Sequence, residues 1–269
     1  MTTPIAVTIA GSDSGGGAGI QADLKTFSAL GVYGASVIAA LTAQNTRGVT
    51  AVHDVPAEFV TAQIDAVFSD LAVGAVKIGM LSQPAVIEAV AAGLARYRMS
   101  NVVLDPVMVA TSGDRLIADD AVAVLREKLV PKVRVITPNL PEAAALLDEP
   151  VAQSETQMQA QAEQLLSLGA RAVLIKGGHG KGAEAVDLLV EPNAVARLAA
   201  ERVPTRNTHG TGCTLSSAIA AGLAKGMPLT EAVRAAKAYI TAAIAAADTL
   251  HIGHGHGPVH HFHALWRKQ

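Results

Sequence analysis

The amino-acid sequence predicts an α/β fold: a mostly parallel sheet covered by helices on both faces. Short apolar runs rich in Val and Ile alternate with amphipathic stretches along nearly the whole chain, the pattern of strands buried on both sides. Each run ends in Gly, Asp, Pro or another polar residue, and the carboxyl ends of parallel strands are where an open α/β sheet collects its ligands. No repeat, low-complexity linker or charge block interrupts the alternation, so residues 1–269 read as one domain.

The first strand spans Ile5–Ala10 and runs into Gly11-Ser12-Asp13 and a glycine-rich loop. Ser36–Leu41 follows, ending in Thr42-Ala43-Gln44-Asn45. Val60, Ile64, Val67, Phe68 and Leu71 then recur at helical spacing behind Pro56, a residue favoured in a first turn. Ala75–Ile78 leads to Gly79-Met80, Val102–Leu104 to Asp105-Pro106, and Val133–Ile136 to Thr137-Pro138-Asn139. Asn139, Pro141 and Glu142 read as a helix start with a capping box, and Ser154 with Gln157 opens another helix to about Leu168. Ala172–Ile175 precedes Lys176-Gly177-Gly178. Val186–Val190 and Val195–Leu198 flank Glu191-Pro192-Asn193, a turn sequence that predicts an antiparallel hairpin at the sheet edge. Leu215, Ile219 and Leu223, then Val233, Ile240 and Ile244, mark consecutive helices over Thr211–Lys225 and Thr230–Ala247.

Composition narrows the function. A net charge of −2 gives no electrostatic footprint for nucleic acid, and 4 Phe, 3 Tyr and 1 Trp leave little for base-stacking platforms. No window of about 18 residues is uniformly apolar, so no membrane span is expected. A single cysteine, Cys213, and an amino terminus without a basic-then-apolar order place the expected location in the cytoplasm.

Several motifs carry chemistry. Gly17, Gly19 and Ala22 satisfy the loose dinucleotide fingerprint G-x-G-x-x-A, but no acidic residue stands between Asp23 and Asp54 to read a ribose, and the P-loop pattern is absent. Asn207-Thr208-His209-Gly210-Thr211-Gly212-Cys213-Thr214 directly precedes a helix, whose free N–H groups and partial positive charge suit a phosphate or oxyanion. The same position is expected to lower the pKa of Cys213 and make it a base or nucleophile, unless it is merely a small packed residue. Asp105, Asn139 and Glu142 at strand ends could flank Mg²⁺, which is usually held by one or two carboxylates plus substrate phosphates. Six of the nine histidines fall in His251–His263, which reads as a packed loop in preference to a metal-binding tail. The glycines of Gly177–Gly182 suggest a flap on composition alone.

The ordered set Gly11–Phe27, Thr42–Thr46, Lys77–Leu81, Asp105–Val107, Thr137–Glu142 and Gly210–Thr214 closely resembles the hydroxymethylpyrimidine/phosphomethylpyrimidine kinases of thiamine biosynthesis, with likeness from Ile5 to Phe262. That family is ribokinase-like, which implies a three-layer α/β/α fold, usually as a homodimer. The resemblance implies two ATP-dependent, Mg²⁺-assisted phosphorylations, of 4-amino-5-hydroxymethyl-2-methylpyrimidine and then of its monophosphate. It carries over Gln44, Asp23, Gly11, Met80 and Val107 as substrate contacts, with the Gln44 amide meeting the aminopyrimidine edge. Backbone N–H groups of Gly210, Thr211, Gly212 and Cys213 would hold the moving phosphoryl group, Lys176 and Thr208 would contact the nucleotide, and Asp105, Asn139 and Glu142 would flank the metal. Sugar kinases of the superfamily carry Asp where Cys213 stands, which leaves open whether the thiol is the base in both steps. Two rivals remain: a pyridoxal or pyridoxine kinase, and a non-catalytic pyrimidine-binding protein.

Overall fold

The computed structural model describes residues 2–109, 116–178 and 182–266. Nine strands form one sheet: β1 (Ile5–Gly11), β2 (Tyr33–Asn45), β3 (Gly48–Asp54), β4 (Ala75–Ile78), β5 (Val102–Leu104), β6 (Val135–Ile136), β7 (Val173–Lys176), β8 (Glu184–Glu191) and β9 (Ala194–Glu201). Their spatial order is β3-β2-β1-β4-β5-β6-β7-β8-β9. The six from β2 through β7 are mutually parallel, whereas β3, β8 and β9 join antiparallel at the two edges.

The helices are α1 (Gly19–Ala29), α2 (Ala57–Phe68), α3 (Pro84–Arg96), α4 (Asp119–Val124), α5 (Leu140–Leu147), α6 (Glu155–Ser167), α7 (Thr211–Ala224) and α8 (Leu229–Ala245). Strand side chains alternate between two cores. Val7, Ile9, Val76, Ile78, Leu104 and Ile136 face Ile64, Ile87, Leu146 and Leu165 of α2, α3, α5 and α6. Ala6, Ala75, Val103, Val135 and Leu174 face Phe27, Leu215, Ile219 and Ile240 of α1, α7 and α8. Each strand of the parallel part is therefore apolar on both faces, and three layers follow from that.

The expected strands appear with shifted ends. Val133–Ile136 shortens to β6, and Ser36–Leu41 lengthens to β2, because the chain stays extended past the sheet body and folds back as β3. That hairpin was not expected: its residues beyond Leu41 are largely exposed and polar and carry no apolar run. The hairpin expected around Pro192 is present as β8 and β9. Asn139 caps α5 in a full capping box. Ser154 caps α6, but Gln157 reaches back to the Gln153 N–H (2.7 Å), one residue short of closing its box. Part of the expected Gly177–Gly182 flap lies outside the described residues. Among the described residues no helix is long and apolar enough to cross a membrane.

Candidate active site

Parallel strands point their carboxyl ends the same way, so the segments after β1, β4, β5, β6 and β7 converge on one edge of the sheet. The glycine-rich loop between β1 and α1 is organised by Asp13. Its carboxylate accepts the N–H groups of Gly15 (2.8 Å), Gly17 (3.1 Å) and Ala18 (2.8 Å) and the His209 ring nitrogen (2.7 Å). Burial pushes this carboxyl up, but the His209 and backbone bonds outweigh it and hold the group below the usual carboxylate range. Gly19 has a left-handed backbone, φ +56°, and a Cβ there would stand 2.5 Å from the Gly11 carbonyl oxygen.

The tip of the β2–β3 hairpin reaches over this loop. Ser14 Oγ donates to the Gln44 carbonyl and accepts its N–H, both at 2.8 Å. The half-buried Gln44 side chain lies 3.1 Å from the Thr42 hydroxyl, whose single proton also points at the Ser12 carbonyl (2.8 Å). Gly11 and Met80 meet beneath, where a Cβ on Gly11 would come 2.6 Å from Met80 Cε. Val107 is half-buried after β5.

Helix α7 starts at Gly210, whose left-handed φ of +79° no other residue adopts cheaply and whose would-be Cβ falls 1.9 Å from the Gly17 carbonyl oxygen. No side chain caps this helix. The Thr211 N–H is already committed to the Thr208 carbonyl (3.2 Å), which removes it from the expected anion-binding set and leaves Gly212 and Cys213 foremost there. Thr208 itself is exposed beside this start. A Cβ on Gly212 would lie 3.2 Å from Lys176 Nζ and 3.5 Å from the Asp105 carboxylate, so the helix start sits directly above that pair.

Lys176 Nζ stands 2.7 Å from Asp105 and 3.8 Å from Glu142. It is not a solvated surface lysine: its side chain is 13% exposed and Asp105's is 1%. Burial alone would drop the Lys176 pKa, but the two carboxylates raise it above the ordinary value, so it is charged. Burial pushes Glu142 up to about 7; Lys176 and the Asn139 N–H pull it down, and Asp105 pushes it further up. The Asn139 side-chain oxygen accepts the Glu142 N–H (2.9 Å) and the Asn139 N–H donates to the Glu142 carboxylate (2.7 Å), so Asn139 holds Glu142 before any other role.

Two expectations are overturned. Burial pushes the Cys213 thiol up to about 11; Lys77 draws it down, but Asp23 and Asp105 add to the rise, so the helix start does not make it a ready thiolate. Asp23 cannot touch a ligand, because it is fully buried and its carboxylate is taken by Lys77 (2.8 and 2.9 Å), Thr8 (2.6 Å) and Ser217 (2.6 Å). Burial lowers Lys77, but the Asp23 charge more than restores it. Sequence reasoning missed Lys77 and the Asp13–His209 contact. Both sit inside the motifs, but no spacing rule pairs positions 54 or 196 residues apart.

The comparison with known proteins fits this geometry. The model of the phosphomethylpyrimidine kinase family matches residues 13–260. The chain belongs to the phosphomethylpyrimidine kinase family. A relative from Rhizobium meliloti (strain 1021), a hydroxymethylpyrimidine/phosphomethylpyrimidine kinase, is 66% identical over 98% of this chain and 99% of its own. The Geobacter sulfurreducens thiamine biosynthesis bifunctional protein ThiED is 55% identical over 95% of this chain and 51% of its own length. Among solved structures, an ADP complex of Bacillus subtilis pyridoxal kinase superposes with a TM-score of 0.90 at 38% identity, covering 97% of this chain and 98% of that one. As a family member this chain is a kinase with the α/β architecture of its structural relatives.

Proposed function

We propose that this phosphomethylpyrimidine kinase family member transfers phosphoryl groups from ATP first to the hydroxymethyl oxygen of 4-amino-5-hydroxymethyl-2-methylpyrimidine and then to the monophosphate, as a step of thiamine biosynthesis. The observation that carries the reading is the charged Lys176 between Asp105 and Glu142, under the uncapped start of α7. A carrier of the pyrimidine needs none of these groups, whereas phosphoryl transfer needs alignment and neutralised charge at one point.

Gln44 reads the ring edge. Its side-chain oxygen faces the Thr42 hydroxyl (3.1 Å), whose one proton is shared with the Ser12 carbonyl (2.8 Å), so a lone pair of the Gln44 oxygen can still accept from the 4-amino group while the amide nitrogen donates to a ring nitrogen. Met80, Gly11 and Val107 wall the ring. The N–H groups of Gly212 and Cys213, with the backbone at Gly210, take the transferred phosphoryl oxygens, and Lys176 and Thr208 contact the nucleotide phosphates. Cys213, in the fraction whose thiol has first lost its own proton to solvent, is placed to receive the hydroxymethyl proton in the first step; the second acceptor is an already ionised phosphate oxygen and needs little base assistance.

Mg²⁺ fits this donor set. No group of three or more acidic, His or Cys side chains among the described residues could cage a metal, but Asp105 and Glu142, 2.7 and 3.8 Å from Lys176 Nζ, suit an ion that keeps waters and leans on substrate phosphates. When bound it offsets charge on the ATP phosphates; Asn139 holds Glu142 toward it. A homodimer in the cytoplasm completes the reading, resting on the family resemblance; light scattering giving the mass of a single chain would overturn the dimer.

A phosphorus NMR time course with Mg-ATP and the pyrimidine, and a parallel tube of pyridoxal, tests the function. Sequential monophosphate and diphosphate signals are expected. Turnover of pyridoxal alone would favour the second reading, a pyridoxal kinase, which the 38% identity to the Bacillus subtilis enzyme keeps in view. Gln44→Leu should erase the preference for the aminopyrimidine in direct competition, and an unchanged ratio would sink its assigned role.

A further inference from the structure

We propose that Asp13 and His209 form a positioning pair that locks the substrate-reading loop to the phosphate-binding turn, holding acceptor and phosphoryl group in register. The inference rests on the anion-site reading of the α7 start given above. Neither residue is placed against substrate. Both are nearly buried, with side chains 2% and 10% exposed, and the His209 ring nitrogen is 2.7 Å from Asp13 Oδ2. Asp13 is held ionised, and a carboxylate only accepts, so His209 Nε2 carries the proton and donates it. The link is therefore a charge-assisted hydrogen bond, among the stronger kinds available to a side chain.

What the pair joins gives it its role. On one side Asp13 gathers the N–H groups of Gly15, Gly17 and Ala18 and so shapes the loop whose Ser14 clasps Gln44. On the other, His209 immediately precedes Gly210, the left-handed residue that aims the first amides of α7. The two loops touch so closely that a Cβ on Gly17 would lie 2.4 Å from His209 Cδ2. His209 is also fixed along its backbone by the carboxyl-terminal segment, its N–H donating to the Gly257 carbonyl (3.1 Å) and its carbonyl accepting from Val259 N–H (3.2 Å). That segment continues to the hairpin tip, where Thr46 Oγ accepts the N–H groups of His254 (3.2 Å) and Gly255 (3.0 Å). The imidazole is thus a rigid strut between the ring-reading and phosphate-holding halves of the site. A displacement of about 1 Å between such halves costs on the order of 100-fold in rate, because alignment is most of what phosphoryl transfer asks of a protein.

The test compares His209→Gln with His209→Asn. A Gln amide nitrogen falls where Nε2 stands and can donate to Asp13, whereas the shorter Asn amide cannot reach it. His209→Asn is expected to lower kcat at least about tenfold, with KM for both pyrimidine and ATP within about threefold, and His209→Gln to recover most of the loss. Asp13→Asn should resemble His209→Asn, and the double variant should be no worse than either single, since the pair acts as one unit. Melting curves accompany the kinetics. Equal damage from Gln and Asn at position 209, additive losses in the double variant, or a lowered melting point with unchanged kcat would overturn the proposal. If His209→Asn does not fold, Asp13→Asn against wild type decides, with kcat loss at constant KM supporting the strut and intact kcat refuting it. Gly212→Ala is run alongside: unchanged kcat there removes the anion-site reading and the proposal with it, whereas lost turnover there with normal His209→Asn kinetics refutes the strut alone.

Discussion

Cys213 shows how much of a side chain's chemistry is decided by its neighbours. A thiol pushed up to about 11 is ionised in roughly one molecule in ten thousand at pH 7, so it does not attack unaided. The first phosphorylation by wild type should therefore speed up as pH rises from 7 to 9 while the second stays flat, and Cys213→Ala should depress the first at least about tenfold more than the second. Single-turnover rates for the two acceptors check this; equal losses would remove the thiol from proton transfer. Glu142 titrates in the opposite sense to an ordinary carboxylate in an ion pair. Its pKa of about 7 in the folded chain lies above the ordinary 4.5, so the protonated form favours the fold. That contribution is complete below pH 4.5 and is lost as pH rises to 7. Glu142→Gln, neutral throughout, should gain on wild type across that window in thermal unfolding. A pH-independent difference between the two curves would show that Glu142 is not raised.

At the level of elements, much of the fold was legible because each parallel strand is a short apolar run closed by a polar residue, and Ala75–Ile78 and Val102–Leu104 end where the pattern says. The β2–β3 hairpin was not legible: an edge carries polar residues on exposed positions, and its pairing with β2 rests on backbone bonds that no side-chain period reports. Site residues were legible as motifs, yet their partners were not. Asp23 reads as a ligand contact by its place after the glycine loop, and only the folded chain puts Lys77, Thr8 and Ser217 around it. Caps are local and so can be tested locally: Asn139→Ala should cost about 1 kcal/mol by removing the acceptor for the Glu142 N–H, while the backbone N–H of residue 139 still holds the Glu142 carboxylate. Gly210→Ala should do worse, combining a left-handed backbone with collision on the Gly17 carbonyl, and should abolish turnover before it unfolds the chain. Normal kcat in that variant would mean that the two loops can separate without consequence.

Across the whole molecule, one buried ion pair fastens the centre of the sheet to its helices. Lys77 of β4 meets Asp23 of α1, while Thr8 of β1 and Ser217 of α7 complete the carboxylate's shell, all beneath the site and all shielded from water. Lys77→Met leaves Asp23 charged and unpaired and should cost about 3–5 kcal/mol, whereas adding Asp23→Asn should return part of the loss. Chemical denaturation of the single and double variants reads this directly; additive losses would mean that the two groups do not depend on each other.

The contact of the loop after β1 with the turn before α7 also has a temporal meaning. Residue 13 leaves the ribosome long before residue 209 is made, and the backbone partners of His209, Gly257 and Val259, are made later still. The parallel sheet can begin to assemble during synthesis, strand by strand, but the turn before α7 cannot be fixed until that later segment has been made. A nascent chain halted short of Gly257 would thus hold most of its sheet and still lack the backbone contacts that fix His209.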